Sequence, residues 1–187
     1  MSAENLIEQY EKYGSILRKV ADPAAVDRLS EAVGERLVIA PRGTKIEDGG
    51  EPGGLLAFSL RVATAAKSMS EHFGDAKSLV KVSLLHELGK LGDLSADADL
   101  LIPQESDWHR EKLGQMYKYN DACSKMNVAH RTLWWLSHLG FELTREEWMA
   151  INVSQGLHLQ ENQFYATSID GLASGLLAAR LSVLRKD

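Results

Sequence analysis

The chain is poor in the residues that staple a fold together. Cys123 is its one cysteine among 187 residues. That excludes an intramolecular disulfide and any CxxC zinc or redox motif, and it suits a reducing compartment. No apolar run is long enough to span a bilayer. The longest, Leu172 to Leu184, is interrupted by Arg180 and falls short of the roughly 20 residues a spanning helix needs. The segment Met1 to Tyr10 carries Glu4 and Glu8 and has no apolar stretch, so it does not read as a signal peptide. A cytoplasmic setting without a membrane partner is the expectation. Basic residues are outnumbered as well: formal charge is −5 and the pI about 5.7. This argues against nucleic acid as the main partner. Internal repeats and low-complexity tracts are missing, and strand signals are almost absent.

What remains is an ordinary globular composition, 44% hydrophobic and 25% charged, on a chain long enough for one domain with a true core. The expected class is all-α: a single compact domain over 1–187, with its core at about 25–185 and an N-terminal helix in 1–20. Leu6, Tyr10, Tyr13 and Leu17 recur at helical spacing. Asp22-Pro23 reads as an N-cap with proline in the first turn, and the spacing predicts a second helix ending at Gly34. Leu37 to Ala40 is a short apolar run stopped by Pro41. Residues 42 to 54 hold five glycines and one proline and form a loop. A helix follows from Leu55 to about Phe73. Asp75 caps the next one, apolar nearly all round and so expected to be central. Residues 91 to 126 show no periodicity, which predicts a functional or ordered excursion. Ala129 to Leu139 is helical with Gly140 as its cap, Thr144 and Glu147 form a capping box, and Ile169 to Leu184 closes the chain. Gly171 and Gly175 make a GxxxG, which outside a membrane marks close helix packing.

The chemistry concentrates in Leu84-Leu85-His86-Glu87-Leu88-Gly89-Lys90. An imidazole and a carboxylate adjacent at a helix end can reach one divalent ion, and that donor pair suits Mn, Fe, Co, Ni or Zn rather than calcium. Lys90 would then face a phosphate. The segment is not HExxH, because Lys90 stands where the second histidine belongs. Trp108, His109 and Arg110, with Tyr117 and Tyr119, are candidates for a ligand-contacting loop in which Arg110 pairs with phosphate and an aromatic stacks on a base. The alternative is an ordered loop pinned by Trp108 in a groove. Gly74 to Ser78 lacks the spacing of a phosphate loop, and Trp134-Trp135 reads as core and groove filling.

The run Pro52-Gly53-Gly54-Leu55-Leu56-Ala57-Phe58-Ser59-Leu60-Arg61-Val62-Ala63 followed by LLHELGK resembles the HD-domain superfamily of metal-dependent phosphohydrolases. More narrowly it is similar to small HD proteins of tailed phages. The likeness also takes in Gly34 to Pro41, Glu105 to Arg110, His130-Arg131-Thr132-Leu133 and Leu143 to Glu147. It implies an HD-type helical bundle and a divalent metal (Mn, Co, Fe, Ni, Zn or Mg) on His86 and Glu87, with His130 as a further candidate ligand. It also implies a catalytic role for His86, Glu87 and Lys90, and substrate contacts from Trp108, His109, Arg110 and Arg131. His138 and His158 are candidates without a motif.

Against the family's pattern, Phe58 stands in place of a histidine. Ser154 and Gln155 fall near a later histidine and aspartate, Ala179 near a closing aspartate, and Glu87 replaces an aspartate. Two protein ligands rarely hold a catalytic transition metal, so the leading expectation is a degenerate site with no cofactor. On that reading the chain is a non-catalytic or weakly active module binding a nucleotide or a protein partner, in the host cytoplasm if viral. The alternatives are an active nucleotide or phosphomonoester phosphohydrolase built on His86 and Glu87, and a structural or scaffolding subunit.

Overall fold

A computed structural model describes residues 2–94 and 98–185; residues 95–97 of the non-periodic stretch, and Met1, lie outside the described residues. The architecture is all-α. Helices α1 (Ala3–Val20), α2 (Pro23–Ile39), α3 (Gly54–Phe73) and α4 (Ala76–Leu85) precede an excursion. That excursion contains strands β1 (Leu101–Pro103) and β2 (Tyr117–Tyr119) around the short helix α5 (Asp107–Leu113). Helices α6 (Val128–His138), α7 (Arg145–Val153) and α8 (Gly171–Leu184) follow.

Local chemistry starts most of these helices. Asp22 accepts from Ala24 N ahead of Pro23, Asp75 from Ser78 N, Asn127 from His130 N and Asp170 from Ala173 N. Each satisfies an amide that has no intrahelical acceptor. Thr144 and Glu147 form the expected capping box, and Lys81 Nζ reaches Glu147 at 2.8 Å to tie α7 to α4. Gly140 ends α6 with φ +72°.

The core gathers Leu29, Leu56, Val62, Leu79, Leu85, Trp135, Ile151 and Leu176 in one continuous apolar cluster. Helix α3 lies against both α4 and α8. The glycines of the GxxxG make the second contact possible: a Cβ on Gly175 would stand 2.6 Å from Phe73 Cβ. Tyr13 carries α1 into the core and donates to Leu84 O, 3.0 Å away, at the end of α4.

Helix α2 does not stop at Gly34 but continues to Ile39. A Cβ at Gly34 would meet the Tyr10 hydroxyl at 2.7 Å, so this glycine lets α1 approach α2 rather than ending a helix. The excursion is ordered by pairing. Strands β1 and β2 run antiparallel with Leu101 opposite Tyr119 and Pro103 opposite Tyr117. Leu100 N donates to Leu91 O, and Met116 N and Tyr117 N both donate to Thr44 O. Among the described residues no helix is long and apolar enough to cross a membrane.

Candidate functional site

The His86–Lys90 segment lies where α4 tightens. His86 is the C-cap of α4, and Leu88–Leu91 continues as a 3-10 turn. Gly89 is pressed against the start of α6: its N–H donates to Thr132 Oγ1 at 2.9 Å, and a Cβ there would lie 2.3 Å from Val128 O. No other residue type fits that approach.

Glu87 is fully buried, and both its oxygens are occupied. Arg42 Nε donates to Oε2 at 2.9 Å, and Arg180 Nη2 donates to Oε1 at 3.1 Å. Lys90 Nζ stands 3.9 Å from Oε2 and donates instead to Arg42 O at 2.7 Å. Arg42 is held in turn by Phe58, whose ring centre lies 3.7 Å below the guanidinium carbon. Such a cation over an aromatic face is favourable, more so when desolvated. Arg180 also donates to Gln155 Oε1 at 3.4 Å, and Gln155 Nε2 donates to Ser154 Oγ. Ala179, beside Arg180, is buried in α8. Burial alone would raise the Glu87 carboxyl, but the charges of Lys90, Arg42 and Arg180 outweigh it and hold Glu87 well below the usual carboxylate range. The Lys90 ammonium is lowered, first by burial; Glu87 opposes that shift and Arg42 and Arg180 reinforce it.

His86 is equally buried and lies 6.1 Å, ring centre to ring centre, from Phe58. Its Nδ1 is 2.9 Å from Ser83 O. A carbonyl only accepts, so Nδ1 carries the proton and Nε2 presents its lone pair. That Nε2 is buried without a hydrogen-bond partner. Burial pushes the imidazole down to about 4; neighbouring Glu87 opposes the shift, while Arg180 and Arg42 add to it.

The structure therefore brings together Phe58, His86, Glu87, Lys90, Ser154 and Gln155, but the charges that organise them come from Arg42 and Arg180. A divalent ion on Glu87 would have to share oxygens that two guanidinium groups already hold and stand among three cations. Among the described residues no three His, Cys, Asp or Glu side chains stand close enough to hold a metal ion. The donor set does not fit the metal that the sequence resemblance implies.

The remaining candidates lie elsewhere. His130 is exposed at the first turn of α6, and its backbone N–H is capped by Asn127. His138 is stacked on Trp134, and His158 is exposed near Gly156. Arg131 is only 1% exposed; it donates to Gly89 O and Ser124 O and faces Asp93. Trp108 is 58% exposed and edge-on to His109, so it pins no loop into a groove. Its neighbours are helical, because Ser106 caps α5. Arg110 donates to Gln104 O and to Asp107.

Sequence reasoning passed over the two arginines that matter most. Arg42 lies in a glycine-rich loop with no periodicity to flag it. Arg180 did carry a signal, as a lone charge inside an otherwise apolar final helix. Comparison with protein-family models, with curated proteins and with solved structures returns no match.

Proposed function

We infer that this chain is an HD-like helical protein whose metal site has given way to a buried ion cluster, and that it acts as a non-hydrolytic module binding a nucleotide or a protein partner. One observation carries this reading: Arg42 and Arg180 together occupy both oxygens of Glu87. In the resembled family a carboxylate at this position faces a dication. Here fixed guanidinium groups supply the positive charge, with Lys90 as a third cation. Phe58 presents an aromatic face to Arg42 where the family keeps an imidazole. A ring that cradles a cation cannot also ligate one.

A panel of nucleotides and phosphomonoesters, assayed with Mn and Co added, tests the loss of hydrolysis. The expected result is no turnover above the His86→Ala variant. Turnover by the unaltered chain that His86→Ala abolishes contradicts it.

A single feature favours the second reading, an active phosphohydrolase: the partnerless lone pair on His86 Nε2. It would require a metal to enter beside the arginines on Glu87 or to displace one of them. The same His86→Ala comparison separates the two.

A further inference from the structure

A cavity of about 290 Å³ lies beside Lys90, between the end of α2 and the excursion. Its volume falls at the lower end of what small-molecule pockets occupy. Three of the chain's four prolines, Pro41, Pro52 and Pro103, line it, together with Tyr117, Ile39 and Lys90. Proline walls have a fixed backbone dihedral, and the strands behind them are pinned on both sides. Pro103 pairs with Tyr117 across the two-stranded sheet, Tyr117 N is held by Thr44 O, and Leu100 N by Leu91 O. The pocket is formed in advance of any ligand.

Its polar groups are few and unequal. The guanidinium of Arg36 is committed, with Nε to Asp99 at 2.7 Å, Nη1 to Asp93 O and Nη2 to Leu91 O. That pairing also neutralises Asp99. Lys90 differs. Its ammonium donates to Arg42 O and stands beyond hydrogen-bond reach of Glu87, which leaves two of its three N–H groups for something else. Arg42, Arg180 and Lys90 share Glu87 in the cluster behind it, and of these three cations Lys90 is the one that lines the cavity.

We propose that this pocket binds a small monocarboxylate with an apolar or aromatic body, the carboxylate on Lys90 and the body between the prolines and Tyr117. A single ammonium suits one negative charge. A phosphate dianion would call for the arginine fork that Asp99 already holds. The inference is separate from the loss of hydrolysis, since it concerns a cavity outside the ion cluster and its test reads binding, not turnover.

Calorimetry on the full chain with 2-naphthoate, methyl 2-naphthoate and 1-naphthyl phosphate tests it. The acid is expected to bind at one saturable site, with the ester about tenfold to a hundredfold weaker, as loss of one charge-assisted hydrogen bond implies. Ile39 is more than half exposed, so Ile39→Trp fills the cavity from the surface without disturbing the core, and should abolish acid binding. Lys90→Met should bring acid and ester to equal affinity. That variant also touches the ion cluster, so the ester comparison and Ile39→Trp, neither of which does, decide the matter if it fails to fold. Absence of saturable binding, equal affinity for acid and ester in the unaltered chain, or full binding by Ile39→Trp overturns the site. Tighter binding of the naphthyl phosphate overturns the carboxylate assignment.

Discussion

Glu87 is a buried anion surrounded by more positive charge than it can neutralise. Desolvating an ion costs several kcal/mol, and the cost is recovered only when partners are close and well aligned. Arg42 at 2.9 Å and Arg180 at 3.1 Å satisfy that condition. Removing the carboxylate should therefore hurt more than removing either arginine. Glu87→Gln leaves three cations crowded together without an anion, and a loss of about 3–5 kcal/mol is expected in urea unfolding. Arg180→Met leaves Arg42 in place and should cost about 1–3 kcal/mol. Equal losses would mean that the cluster is not organised around Glu87.

His86 adds a pH dependence. Unfolded, its imidazole titrates at the ordinary 6.5; folded, only at about 4. Between those values the unfolded chain binds more protons, so stability falls as pH falls from 6.5 toward 4. The loss is on the order of 3 kcal/mol. Glu87 acts in the same direction at still lower pH, because its depressed value means that stability is lost as the carboxylate protonates. Urea midpoints measured between pH 7 and 4 check this. A His86→Gln variant should show a flatter profile across that window, and an unchanged slope would count against a buried neutral imidazole.

At the level of elements, helix starts were the most legible feature of the sequence, because a cap is a local arrangement. Asp22, Asp75, Thr144 and Glu147 do in three dimensions what their spacing implies. The misreadings came from contacts between distant segments. Gly34 looks like a helix stop until Tyr10 is seen against it. The pairing of β1 with β2 is anchored by Thr44, far away in sequence, as well as by nearby Leu91, and leaves no periodicity in six residues of strand. In the site, His86, Glu87 and Phe58 could be picked out as a group. Arg42 and Arg180 could not, since nothing local says that a loop arginine and a C-terminal helix arginine converge on the same carboxylate. The GxxxG of α8 was legible, and it makes an element-scale prediction. Gly175→Val would drive a branched side chain into Phe73 and Leu79, and overpacking of this kind costs about 1–3 kcal/mol. Thermal unfolding should register the loss, while Ser174→Ala, in the same turn but half-buried, should have much less effect.

For the molecule as a whole, the helices converge on a centre where three cations surround one buried carboxylate. The turn after α4, helix α8 and the loop after α2 each supply one part of it: Glu87, Arg180 and Arg42. The cluster therefore ties together segments 138 residues apart in the chain, Arg42 to Arg180. It does so with side chains that need no external ion. The central claim is that this constellation has exchanged metal for guanidinium. It is tested most directly by metal content after incubation with excess Mn, Co or Zn and removal of free ion by gel filtration, read by inductively coupled plasma mass spectrometry. The account predicts far less than one equivalent per chain, the same for the unaltered protein and for His86→Ala. One tightly held equivalent that disappears in His86→Ala would contradict it.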